Sequence, residues 1–317
     1  MRAFRYLYGP VPSRRLGRSL GIDLVPHKVC TYNCIYCQIG KTTNKTLQRK
    51  EYIPVEEVLE EVKHFLKEET VPIDHVSLSG SGEPTLHSKI GLIIKEIKRI
   101  TSVSVAVITN GSLLSLEEVR KDLLEADVIL PSLDAVFSET FLRVNRPLEG
   151  FSIEEVIEGL EKLRRIYKGK IWLEILFCKG INDSQEELYK MREVIARIKP
   201  DQIHLNTVIR PPSEEWAVPL DQKEMEKIRE FFGEDAIILS EDYRRLSSIG
   251  KENIKEEILR ILKRRPLSLA DLSKGIGVRE DELGHYIDSL LKEKRIRVRH
   301  FGNMVFYEFS KKETDPL

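Results

Sequence analysis

Apolar positions recur along this chain in two rhythms that alternate. Short runs rich in β-branched residues read as strands: Ser19–Leu24, His75–Ser79, Val103–Ile108, Asp127–Leu130, Ile171–Phe177 and Gln202–Val208. Between them, apolar residues return every third or fourth position. In Pro54–Lys67 these are Val55, Val58, Leu59 and Val62, which share one face of a helix. Leu86–Ile100, Leu116–Leu124, Ile153–Tyr167, Gln185–Ile198 and Lys223–Phe232 repeat that rhythm. Strands alternating with helices predict an α/β fold with a parallel sheet. The pattern alone fits a doubly wound sheet or a partial (β/α)6 barrel.

The rhythm changes near residue 250. Lys255–Lys263, Ser268–Lys274 and Glu280–Lys294 predict three helices, with Ser268 capping the second. Arg295–Arg299 and Met304–Phe309 alternate around Phe301-Gly302-Asn303 and predict a hairpin. Three helices and a hairpin resemble a winged helix. The expected organisation is a core domain over 1–245 and a winged-helix-like domain over 250–310. Such domains often meet nucleic acid through the third helix and the hairpin. Here the third helix starts Glu280-Asp281-Glu282, while the hairpin carries Arg295, Arg297, Arg299 and His300. Nucleic-acid contact and a protein-interaction role both remain open.

Charge adds a direction. The 317 residues balance 51 Lys and Arg against 51 Asp and Glu. Residues 1–50 nevertheless hold ten basic residues and one acid, Asp23, and the middle of the chain is acidic. A basic front suits an anionic partner, and an ordinary solvated surface is the alternative. Arg14, Arg15 and Arg18 form one patch; Arg143 and Arg146 form another. Guanidinium forks fit phosphate or carboxylate groups, or else bridge to the acidic body. No apolar run approaches the ~18 residues of a membrane span, and no secretion signal is seen. A cytoplasmic protein with no membrane partner is expected.

Three cysteines sit close together: Cys30, Cys34 and Cys37, with Cys178 far away. A structural zinc site wants four ligands, and His27 is the nearest fourth. A ferredoxin-type cluster wants four cysteines. Three thiolates instead hold three irons of a four-iron cluster and leave one iron open to a substrate or cofactor. An open iron suits an enzyme rather than an electron carrier.

The run Cys-x3-Cys-x-Tyr-Cys resembles the signature of the radical S-adenosylmethionine (SAM) superfamily. The resemblance implies an α/β fold, a partial (β/α)6 TIM-type barrel, with a 4Fe–4S cluster on Cys30, Cys34 and Cys37. It implies SAM at the open iron, cleaved reductively to a 5′-deoxyadenosyl radical by an electron from a ferredoxin or flavodoxin. Ser79-Gly80-Ser81-Gly82-Glu83 is similar to the family's Gly-Gly-Glu element, with Ser81 for the first glycine, so Gly82 and Glu83 would bind the SAM amino group. Thr109 and Asn110, before Gly111, would lie near the ribose or methionine part. Ser132 and Asp134 would bind the ribose or the substrate. For each of these segments a plain turn or helix cap is the alternative.

Within the superfamily the chain is most similar to the wyosine-forming iron–sulfur oxidoreductases of tRNA. Those enzymes hold a second cluster on three further cysteines, and this chain has only Cys178 left. The basic front and the winged-helix-like unit together suggest tRNA or another RNA as the substrate. Modification of a protein or peptide, and a non-catalytic iron–sulfur DNA-binding regulator, are the alternatives. Strand alternation puts Glu174 with Cys178, and His204 with Asn206 and Arg210, on inward faces. These polar groups bind substrate or pair internally, Glu174 with Arg210. Cys178 is a core cysteine or a hydrogen donor to a product radical.

Overall fold

The computed structural model describes residues 4–68, 72–239 and 254–310. The chain enters on β1 (Leu7–Ser13), which turns back into β2 (Gly17–Ile22) as an antiparallel pair. Pro10 and Pro12 hid β1 from the strand pattern, and an edge strand is where prolines are tolerated. A long loop follows, stiffened by a short parallel pair, β3 (Val29–Cys30) and β4 (Asn44–Lys45). Then come α1 (Val55–Glu68), β5 (His75–Leu78), α2 (Ile90–Ile100), β6 (Ser104–Thr109), α3 (Glu117–Asp122) and β7 (Val128–Pro131). They are followed by α4 (Ser138–Val144), α5 (Ile153–Ile166), β8 (Lys170–Phe177), α6 (Gln185–Ile198), β9 (Gln202–Thr207), α7 (Gln222–Phe232) and β10 (Ala236–Ile238).

All six expected strands are present. The sheet runs β1-β2-β5-β6-β7-β8-β9-β10, with every neighbour from β2 onward parallel. A doubly wound sheet reverses its strand order at a switch point. This one does not: each crossover steps to the next neighbour in one direction, so right-handed connections place the helices on one face. That is barrel-type winding. β1 and β10 each have one neighbour among the described residues, so the sheet stays open.

Alternation along the strands sorts two layers. Val105, Val107, Ile129, Leu173, Ile175 and Leu205 join the core that the helices cover. Ala106, Val128 and Leu130, with Ile108 and Trp172, face the other way and pack under Leu16 as a plug. The covering helices are locally well specified: Ser152 with Glu155, and Asp221 with Glu224, close capping boxes on α5 and α7.

After the boundary expected between 245 and 250, which lies outside the described residues, come α8 (Ile254–Leu262), α9 (Leu269–Ile276) and α10 (Glu280–Lys292). The antiparallel pair β11 (Ile296–Phe301) and β12 (Met304–Phe309) ends the unit. Ile258, Leu262, Leu272, Ile276, Leu283 and Ile287 form its core, and Val11 of β1 belongs to the same cluster. Arg260 donates to the Gly9 carbonyl at 2.7 Å, tying α8 to the sheet edge. No helix among the described residues is long and apolar enough to cross a membrane.

Candidate active site

The loops that follow β2, β5, β6 and β7 meet at the C-terminal ends of the strands, where barrel enzymes keep their chemistry. The first carries Cys30, Cys34 and Cys37, all half-buried. Its path is fixed by backbone hydrogen bonds: Asn33 and Ile35 donate to the carbonyls of Asn145 and Val144, and Ser213 Oγ donates to Cys34 at 2.8 Å. Tyr32 is buried edge-on against Phe141 and Phe151.

Each thiol meets a side-chain N–H donor. Asn110 Nδ2 lies 3.5 Å from Cys30 Sγ, Asn145 Nδ2 3.5 Å from Cys34 Sγ, and Lys28 Nζ 3.1 Å from Cys37 Sγ. Burial, then the charge of Glu83, pushes the Cys30 thiol up to about 11. Burial and Asp134 move Cys34 upward as well. Thiolates held in this way need positive charge, which iron supplies, and N–H donors to sulfur suit a cluster. The donor set therefore fits a three-cysteine iron–sulfur cluster. Among the described residues no three Cys, His, Asp or Glu side chains converge on a single metal ion. A cube-shaped cluster takes each thiolate on a different corner. His27 lies on the wall of an outer groove, described below.

The loop after β5 is laced to this segment. Lys28 N donates to the Ser81 carbonyl at 2.7 Å and Glu83 N to that of Val29 at 3.0 Å. Gly82 is required by this approach, because a Cβ there would stand 2.0 Å from the Val29 oxygen. The Glu83 carboxylate is buried and accepts from Thr85 N, Thr85 Oγ1, Thr109 Oγ1 and Asn110 N at 2.5–3.1 Å. Burial pushes its carboxyl above the usual range, and those hydrogen bonds offset part of the rise. Asn110 continues the chain: Nδ2 donates to Thr31 Oγ1 at 2.8 Å and Oδ1 accepts from Ser112 N.

Asp134 is equally occupied. It accepts from Tyr36 OH at 2.5 Å, Asn145 Nδ2 at 2.7 Å and Leu176 N at 2.9 Å. It thereby fixes the aromatic residue just before Cys37. Ser132, by contrast, lines the lumen. The sequence pattern pointed to Cys30, Cys34, Cys37, Gly82, Glu83, Thr109, Asn110, Ser132 and Asp134; it missed Lys28 and Asn145, the donors to sulfur.

Above the plug is a cavity of about 210 Å³ reached by Cys37, Ser132, Glu174, Asn206 and the arginines Arg14, Arg15, Arg210 and Arg265. The expected Glu174–Arg210 pair does not form. Glu174 pairs with Arg15 and accepts from Asn206 Nδ2 at 2.9 Å, whereas Arg210 lies 3.6 Å from Asp271 of α9. The reason is topological: the β1–β2 turn delivers Arg15 to the lumen, and α9 packs over its open side. Burial is the largest single influence on Glu174 and opposes its charge, but Arg15, Asn206 and Arg14 together outweigh it and hold the carboxyl below its usual range. Arg18 pairs with Asp74 and Arg146 with Glu214, so part of each arginine patch is spent on acids. Cys178 falls just past the end of β8, where alternation lapses; it is buried with Ile35, Val208 and Ala217 and does not line this cavity.

His204 sits deeper, tilted against Trp172 at 5.4 Å, with Nε2 3.1 Å from Gln202 Oε1. Burial lowers its pKa from 6.5 to about 4. Above pH 6.5 it costs nothing. Below, the unfolded chain takes up a proton that the folded one refuses, so stability falls until pH reaches about 4. The full loss is about 3 kcal/mol. Thermal melts at pH 7 and pH 5 are expected to show the drop, and His204→Gln to flatten it.

The C-terminal hairpin closes one side of the site. Phe301 packs against the cluster of Ile35, Val208 and Ala217, and Arg299 Nη2 donates to the Pro212 carbonyl at 2.8 Å. Between hairpin and cysteine loop lies a groove of about 430 Å³ whose wall includes Lys28, Lys41, Lys263, Arg265, Arg297 and Arg299, with Glu308 its only acid among the described residues. Lys41 bridges to Glu214, and Arg297 and Arg299 to Glu308, so the positive charge is partly offset. Arg265 lines both this groove and the lumen cavity.

Residues 24–192 match the family model of the radical SAM superfamily. A UPF0026 protein of Methanocaldococcus jannaschii is 32% identical over 313 residues, covering 97% of each chain. A protein of Brachyspira hyodysenteriae named GTPase Obg is 38% identical over 305 residues, 95% of this chain; this chain spans 45% of that protein's length. No G-x-x-x-x-G-K-[ST] phosphate loop occurs in the present sequence. Among solved structures, a radical SAM methyltransferase from Sphaerobacter thermophilus superposes with a TM-score of 0.51 at 14% identity, over 69% of this chain and 65% of that one. The last likeness concerns the fold.

Proposed function

This chain belongs to the radical SAM superfamily, whose members use a 4Fe–4S cluster and SAM, and we propose that it is an enzyme that abstracts hydrogen from a nucleotide of RNA, with tRNA the foremost substrate class. In this reading Cys30, Cys34 and Cys37 hold the cluster. When bound, cluster and SAM supply reductive cleavage of the sulfonium and a 5′-deoxyadenosyl radical. The chain's own residues supply position. Asn110, Asn145 and Lys28 steady the three sulfurs. The backbone at Gly82 and Glu83, with Ser132, faces SAM, and Asn110 acts through the loop it ties to Thr31 and Glu83. Thr109, Glu83 and Asp134 act indirectly, since their side chains are engaged with protein partners.

The observation that carries the RNA assignment is the basic groove between hairpin and cysteine loop, joined to the lumen at Arg265. A phosphodiester backbone fits such a surface. We read residues 254–310 as a winged-helix unit turned to this use. Its third helix is a poor DNA reader: Glu280, Asp281 and Glu282 open it, and Asp281 engages Arg279. The sequence resembles the wyosine-forming enzymes of tRNA, and this reading takes from them the radical chemistry and not the product. The product must differ, because the cysteines for their second cluster are missing. A ferredoxin or flavodoxin would deliver the electron in the cytoplasm.

The test is anaerobic. Reconstituted, reduced protein is expected to make 5′-deoxyadenosine from SAM and to retain tRNA at low salt. Retention should fall by orders of magnitude, roughly 10³-fold, between about 50 and 200 mM salt. Mass spectrometry of nucleosides from a deletion strain is expected to lack one modified nucleoside that complementation restores. Loss of a peptide modification instead would establish a protein substrate, and no 5′-deoxyadenosine with duplex DNA binding would establish a regulator.

A further inference from the structure

We propose that the C-terminal unit is part of the SAM site, and that Arg264, just past α8, is a positioning residue for the backbone that receives SAM. This deepens the function proposed above and rests on it.

The chain of contacts is short. The Arg264 guanidinium forms an ion pair with Asp23, which sits directly after β2 and is almost fully buried. The other oxygen of Asp23 accepts the Ser81 N–H at 2.5 Å. Gly80 lies so close to that oxygen that a Cβ would stand 1.8 Å from it, at a φ of +118° that side chains rarely adopt. Arg264 also lies over the Tyr8 ring at 5.4 Å, and Tyr8 OH meets Ser79 Oγ at 2.7 Å. Two routes therefore run from one arginine of the C-terminal unit to Ser79–Ser81, immediately before Gly82 and Glu83.

The energetics favour a tight link. A buried carboxylate stripped of its cation is strongly unfavourable, so Asp23 holds its place only with Arg264 beside it. Hydrogen bonding to a fixed carboxylate orients Ser81, and Ser81 O in turn receives Lys28 N of the cysteine loop. Displacing Arg264 lets the segment from Gly80 to Glu83 relax, and a binding surface made of backbone loses affinity when its geometry loosens.

The experiment uses full-length, cluster-reconstituted protein. SAM affinity is measured by equilibrium dialysis, with iron content and thermal melting recorded alongside. Arg264→Gln is expected to raise the Kd for SAM at least about tenfold, within the usual range of coupling between linked sites. Iron content should stay at the wild-type level, and Arg264→Lys should recover most of the affinity. Arg260→Gln is the control. It cuts another tie between the same unit and the sheet, to Gly9, without touching Asp23, and is expected to leave SAM affinity unchanged. If Arg264→Gln fails to fold, Asp23→Asn/Arg264→Gln leaves no charge buried alone and is expected to show the same weakened SAM binding. A wild-type Kd in whichever variant folds overturns the proposal, as does an equal loss in Arg260→Gln. Wild-type protein that takes up iron but binds no SAM would instead sink the underlying functional reading.

Discussion

Alanine at any one of Cys30, Cys34 or Cys37 is expected to lower SAM cleavage below detection, while alanine at Cys178 leaves it intact. Each sulfur of the triplet has its own N–H donor and its own anchored stretch of backbone. A neighbouring thiol therefore cannot shift to cover a missing one. Cys178 offers no replacement: it is buried among Ile35, Val208 and Ala217, outside the lumen wall. Its own loss should cost about 1 kcal/mol of stability, the usual scale for a small buried change. Iron content and 5′-deoxyadenosine yield separate the outcomes. Activity in Cys37→Ala would remove the cluster from this triplet. Normal 5′-deoxyadenosine with altered products in Cys178→Ala would restore the hydrogen-donor role.

The parts of the fold that the sequence revealed are those governed by local rhythm. Val105–Ile108 and Leu173–Phe177 are near-continuous apolar runs because parallel strands are buried on both faces. β1 was hidden because its prolines mimic a loop, α4 because seven residues hold too little periodicity, and β10 because it is only three residues long. The site divides in the same way. The cysteine triplet stands out because its members are neighbours in sequence. Tyr36 and Asp134 are 98 residues apart, and Arg15 and Glu174 are 159 apart. No local pattern encodes such contacts; only the winding of the sheet brings them together. For this reason the sequence suggests Arg210 as the partner of Glu174 and gives no sign that Asp23 pairs with Arg264.

Glu83 shows what this difference means for chemistry. Its place in a Gly-Gly-Glu-like element suggests a residue turned toward SAM, yet its carboxylate is spent inside the protein, binding the loop after β5 to the loop after β6. Glu83→Ala is accordingly expected to destabilise the fold. It would leave four donors, on Thr85, Thr109 and Asn110, facing an empty space. Each buried donor without an acceptor costs about 1–3 kcal/mol, and relaxation recovers part of the sum. A loss on the order of 5 kcal/mol is a large share of a typical domain's stability. Glu83→Gln keeps an amide oxygen for the three Thr85 and Thr109 donors and turns its NH2 toward Asn110 N alone, so about a third of that loss is expected. Urea unfolding of both variants measures it. If Glu83 served SAM alone, both would unfold at the wild-type midpoint and only SAM affinity would change. If it is the knot between two loops, stability falls first, and SAM affinity falls with it because Asn110 and the Gly82–Glu83 backbone lose their common anchor.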